Sequence, residues 1–136
     1  PQGGIISPLL ANICMNEFDW WLSNQWETFK TEYKYCNLSN RYRSLKKSEL
    51  KEFYFVRYAD DFKIFCKDYE TARKLFIGSK MWLKDRLGLE ISEEKSKITN
   101  IRKNYTEFLG FKLKGIINKN KIVETACIVS NGMLEI

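Results

Sequence analysis

The chain has 136 residues, 44% of them hydrophobic and 15% aromatic, and carries a formal charge of +6. This is enough material for one packed core and too polar in its patterning for a membrane span; no apolar run approaches bilayer length and no secretory signal opens the sequence. Histidine is absent and the four cysteines (Cys14, Cys36, Cys66, Cys127) form no Cys-x-x-Cys pair, which excludes the usual zinc sites and histidine-based catalysis.

The charge is unevenly spread. Residues 1–29 hold three acids (Glu17, Asp19, Glu27) and no Lys or Arg, so the other 107 residues carry all 23 basic side chains. That asymmetry points to a polyanionic partner, with nucleic acid favoured over a membrane surface because no basic amphipathic helix stands out. Cys14 and Cys66 lie in apolar patterns that suggest buried free thiols and a reducing compartment.

In chain order, Gly3-Gly4 forms a loop, and Ser7-Pro8 then starts a helix with Ser7 as its cap and Pro8 in its first position. Leu9, Leu10, Ile13, Cys14, Phe18, Trp21, Leu22 and Trp26 give that helix an apolar stripe; Trp20-Trp21 reads as core or domain contact. Residues 30–52 are polar, aromatic and basic, and read as an inserted loop or short helix. The run Phe53 to Cys66 is β-prone on both sides of Asp60-Asp61, the pattern of a hairpin with two carboxylates at its tip. Adjacent like charges repel unless water or a cation neutralises them, so the pair is either a divalent-metal platform or a solvated acidic turn. Asp68 caps a helix running to about Leu87, with Gly88 as its stop. Leu89 to Ile91, Ser96 to Ile101, Phe108 to Leu113 and Ile116 to Val123 are the expected later strands, with turns at 92–95, Gly115 and 118–120. Helix, hairpin, helix and strands make an α+β fold with helices on one face of an antiparallel sheet.

Four blocks in this order resemble the palm region of group II intron reverse transcriptase/maturases: Pro1-Gln2-Gly3-Gly4-Ile5-Ile6-Ser7-Pro8-Leu9-Leu10-Ala11-Asn12-Ile13, then Tyr58-Ala59-Asp60-Asp61, then Leu87 to Lys97, then Phe108-Leu109-Gly110-Phe111. The resemblance covers residues 1–115, a partial palm domain without fingers or thumb, and leaves 116–136 as a C-terminal strand or tail. It implies an RNA-directed DNA polymerase that uses Mg²⁺ (or Mn²⁺), dNTPs, an RNA template such as the intron RNA, and a DNA primer. In such an enzyme two metals roughly 4 Å apart stabilise the attacking and leaving oxygens of an in-line displacement. The alternative is a noncatalytic RNA-binding maturase that assists splicing, and a third possibility is a decayed gene product.

By the same resemblance Asp60 is the principal metal ligand and Asp61 an auxiliary one, with Tyr58 and Ala59 under the primer end and incoming nucleotide. Gln2 and Gly3 would contact the template and nascent pair, the glycine allowing close backbone approach. Lys95 falls where the family places a lysine near the nucleotide phosphates, where it could act as a general acid; Lys97 and a plain solvated charge remain alternatives. Leu109 and Gly110 lie in the primer-grip block, though core packing explains Phe108 and Leu109 as well. Lys34, Arg41, Arg43, Lys46 and Lys47, interleaved with tyrosines, suit either an RNA-facing loop or a solvated insertion. A third metal-binding aspartate is expected upstream of Pro1, so the isolated chain is expected to be inactive, and exposed apolar surface would favour dimerisation. The implied location is the cytoplasm of a bacterium, or an organelle in a eukaryote.

Overall fold

In the computed structural model, residues 4–115, 127–131 and 134–135 are described. The elements are α1 (Ser7–Gln25), α2 (Leu38–Lys47), β1 (Phe53–Tyr58), β2 (Asp61–Cys66), α3 (Tyr69–Trp82), a π-helical turn (Leu83–Leu87), β3 (Glu90–Ile91), β4 (Lys97–Asn100), β5 (Thr106–Phe108), β6 (Phe111–Leu113), β7 (Cys127–Asn131) and β8 (Leu134–Glu135). Among the described residues the main sheet is four-stranded, in the order β1-β2-β7-β4, and every pairing in it is antiparallel. β3 pairs with β8, and β5 with β6, as separate two-stranded ribbons. The expected mixture of helices and antiparallel strands is present. β7 lies inside the sheet between β2 and β4, so part of residues 116–136 completes the platform. The strands expected within 116–123, on either side of the turn at 118–120, lie outside the described residues.

The core forms where α1 and α3 cross one face of the sheet. Alternation along β2 sends Phe62, Ile64 and Cys66 inward, all buried. Phe18 of α1 meets Phe62 with ring centroids 5.1 Å apart and Trp82 of α3 at 5.5 Å, while Trp21 stacks on Trp82 at 5.6 Å. Met15, Phe18, Leu22 and Trp26 repeat at helical spacing and all are buried.

Several expectations need correction. Ile6, not Ser7, holds the cap position of α1; Ser7 and Pro8 lie within the first helical turn and no side chain caps it. Leu9, Leu10 and Ile13 are exposed, as are Trp20 and Cys14, so only the C-terminal half of the apolar stripe is core. A stripe records what a helix could bury, and among the described residues nothing covers this one before Met15. The basic segment resolves into the short helix α2, capped by the Asn37 side chain accepting from the Ser39 amide. Residues 108–113 are not one strand but the turn and second arm of a hairpin, because Leu109 and Gly110 both have positive φ (51° and 80°) and reverse the chain. Asp68 does cap α3, accepting from the Thr71 amide at 2.7 Å, and Gly88 ends the helical segment at φ 66°.

Candidate active site

The hairpin β1–β2 pairs Tyr58 with Asp61, leaving Ala59 and Asp60 as a two-residue turn. Ala59 sits at φ 51°, a left-handed conformation that costs a residue with a Cβ about 1–2 kcal/mol. Asp60 is half-buried in that turn and Asp61, also half-buried, begins β2. Asp60 forms one wall of a cleft of about 390 Å³ whose other walls are Ser7, Leu10, Ala11, Cys14 and Met15 of α1, and Leu89.

Strand alternation defines a second surface opposite the helices. Tyr54, Val56 and Tyr58 of β1 are exposed there, Tyr58 to 64%. Asp61 and Lys63 of β2 face the same way, and the register continues the row from Val56 through Lys63 and Ser130 to Lys97. Lys63 is only 6% exposed and donates to Thr106 Oγ1 at 3.1 Å, which ties the β5–β6 hairpin to the strand carrying Asp61. Burial pushes the Lys63 ammonium below its ordinary value; Asp61 opposes that shift and Lys97 adds to it. Lys97 thus shares the electrostatic neighbourhood of Asp61, whereas Lys95 is exposed in the turn before β4.

Arg57 lies on the opposite side of β1. Its Nε and Nη2 donate to the two carboxylate oxygens of Asp19 at 2.8 and 2.7 Å, and its Nη1 donates to Asn12 Oδ1 at 3.1 Å and to the Ala59 carbonyl at 2.8 Å. The Asp19 hydrogen bonds raise its already high pKa, and the charge of Asp60 contributes. Sequence reasoning passed over Arg57 and Lys63. The signal available was a cation inside a β-prone run at each side of the acidic pair, since a charge there is costly without a partner.

The remaining candidates are dispersed. Leu109 and Gly110 form the exposed tip of the β5–β6 hairpin, so Leu109 is not a core residue. Arg41 donates to the Phe29 carbonyl at 3.0 Å and Lys46 pairs with Glu52 at 3.5 Å, while Lys34, Arg43 and Lys47 are exposed. Gln2 and Gly3 lie outside the described residues. No three His, Cys, Asp or Glu side chains converge among the described residues. The donor set at the hairpin tip nevertheless fits Mg²⁺, a hard cation commonly held by one or two carboxylates with substrate phosphates completing its shell.

The described site thus combines two adjacent carboxylates at a hairpin tip with basic side chains in the next row of an antiparallel sheet. The model of the family described as reverse transcriptase (RNA-dependent DNA polymerase) matches residues 1–113, and the chain belongs to that family. Within it, the resemblance to group II intron proteins holds: the chain is 28% identical to the group II intron-encoded protein LtrA of Lactococcus lactis, over all of this chain and 29% of LtrA. It is 32% identical to protein YkfC of Escherichia coli over 83% of the chain and 32% of that protein. It is 28% identical to a putative COX1/OXI3 intron 2 protein of Saccharomyces cerevisiae over 84% of the chain and 17% of that protein. The chain therefore spans about a third or less of the length of these relatives. No solved structure matches. Among the described residues no helix is long and apolar enough to cross a membrane.

Proposed function

We propose that this chain is the palm portion of an RNA-directed DNA polymerase encoded by a group II intron, and that Asp60 and Asp61 are its carboxylate ligands for Mg²⁺. The observation that carries the reading is the two-residue turn that sets both acids at the tip of the sheet, beside an open strand face bearing Tyr58. Bound there, the ion would stabilise charge on the reacting oxygens of a nucleotidyl transfer. Asp60, on the cleft beside α1, and Asp61, at the start of β2 next to it in sequence, would approach such an ion from the two sides of the hairpin tip. Tyr58 offers a flat exposed ring to the primer end or the incoming nucleotide. Lys95 or Lys97 would meet the phosphates; Lys97 has the better support, because it shares a row with Lys63 on the face of Asp61. Gln2 and Gly3 would meet the template, and the exposed tip at Leu109-Gly110 would support the primer. Exposed Lys34, Arg43 and Lys47 would add phosphate contacts. On this reading two hairpin carboxylates without a third would hold a pair of metal ions incompletely, and the 136-residue chain alone would not polymerise.

The test is made in the full-length protein that carries this chain. Asp60→Ala should abolish extension of a DNA primer on an RNA template while RNA binding, measured by filter retention at fixed salt, stays within about threefold, since removing an acid does not weaken phosphate contacts. Wild-type protein that binds intron RNA but extends no primer would instead establish the maturase reading.

A further inference from the structure

Arg57 makes four hydrogen bonds with one guanidinium, and they join two parts of the molecule that the polymerase reading needs in fixed relation. Asp19 and Asn12 lie seven residues apart, hence on one face of α1, and the Ala59 carbonyl belongs to the turn that bears Asp60. The N-terminal half of α1 and Asp60 face each other across the cleft. Arg57 thus links the turn that carries Asp60 to the helix that forms the cleft's opposite wall. A fork-shaped donor is required, since the two Asp19 oxygens and the Asn12 and Ala59 oxygens are met by separate N–H groups. Lysine has a single point charge and cannot reproduce this. The Arg57 and Asp19 side chains are only 12% and 27% exposed, so the geometry is held inside the packed layer. Arg57 also secures the left-handed Ala59, a conformation that persists only where its surroundings enforce it.

We infer that Arg57 is a positioning residue for nucleotidyl transfer: it clamps the Ala59-Asp60 turn to α1 and so fixes where the Asp60 carboxylate stands. The inference rests on the proposed polymerase reading for its functional consequence, but the clamp itself can be measured without activity. In full-length protein free of metal and nucleic acid, Arg57→Lys and Asp19→Asn should each speed amide hydrogen exchange over residues 58–61 about tenfold, with residues 62–66 unchanged, because opening becomes local. In single-turnover nucleotide addition, Arg57→Lys should lower the maximal rate roughly 10²-fold, the cost of misplacing a reacting group by about 1 Å, with the dNTP KM within about threefold. Unchanged exchange at 58–61, or an equal rise across both strands, would overturn the clamp. Wild-type rates in both variants would overturn the positioning role. If wild-type protein itself adds no nucleotide, the polymerase reading fails while the exchange comparison still decides on the clamp; if Arg57→Lys fails to fold, Asp19→Asn and Asn12→Ala carry the comparison.

Discussion

Phe62 joins the core to the site, since it lies between Asp61 and Lys63 and its ring is fully buried against Phe18. Truncation to alanine removes a whole ring from a place where α1 is already tied by the Arg57–Asp19 pair to β1, the strand paired with β2, so collapse to fill the space is limited. Phe→Ala in such a site costs about 3–5 kcal/mol, part of it the aromatic pairing with Phe18, worth about 0.5–1.5 kcal/mol beyond area. A domain with about 5–15 kcal/mol of total stability would lose a large share of it. Phe62→Leu keeps most of the volume and should cost about 1.5 kcal/mol or less. Urea denaturation followed by tryptophan fluorescence measures both, and a double-mutant cycle with Phe18→Leu should return a coupling of about 0.5–1.5 kcal/mol. A loss under about 1 kcal/mol for Phe62→Ala, or zero coupling to Phe18, would refute the reasoning that this contact carries the hairpin.

Asp68→Ala should cost about 1 kcal/mol through the lost cap of α3, and Asp68→Asn less. The Thr71 amide holds the Asp68 carboxyl below its ordinary 3.8, so its contribution is present above that value and is lost as pH falls through the lower folded pKa; Asp68→Asn should flatten this acid limb. Lys63 has a folded pKa below 10.5, so the unfolded chain binds more protons and stability should rise as pH climbs through the lowered folded value toward 10.5. Lys63→Met should remove that rise in urea midpoints. Above pH 10 the opposite sign takes over, because burial and Glu52 push Tyr54 up to about 12 and the unfolded chain releases that proton first. Gly110→Ala should cost about 1–2 kcal/mol from its positive φ alone, since nothing lies within 4 Å of an added Cβ. Ala59→Gly relieves a similar strain but frees the unfolded chain, leaving a net change within about 1 kcal/mol; calorimetry compares the two.

The hairpin was legible because β-prone residues on both sides of two acids leave few other placements, and the caps Asp68 and Gly88 were legible because each acts on its nearest neighbours. What depended on distant partners was not. Leu9, Leu10 and Ile13 read as core, yet no described element packs over them sufficiently to bury them. Leu109 reads as a strand residue, and its left-handed conformation has no sequence signature beyond the glycine that follows. Arg57 went unread, since its role depends on Asp19, 38 positions away. Membership of the polymerase family was legible because its blocks are local motifs in fixed order, and the match to residues 1–113 agrees with that reading.

Addition of a single nucleotide by the full-length protein, followed under single-turnover conditions with rising Mg²⁺, tests the central claim most directly. Asp60→Asn keeps the size of the side chain and removes its charge. The account predicts a rate reduced on the order of 10³-fold at saturating dNTP, with template-primer affinity unchanged, as expected when several kcal/mol of transition-state stabilisation depend on that carboxylate. A rate within about threefold of wild type, on the scale where tenfold is 1.36 kcal/mol, would contradict it.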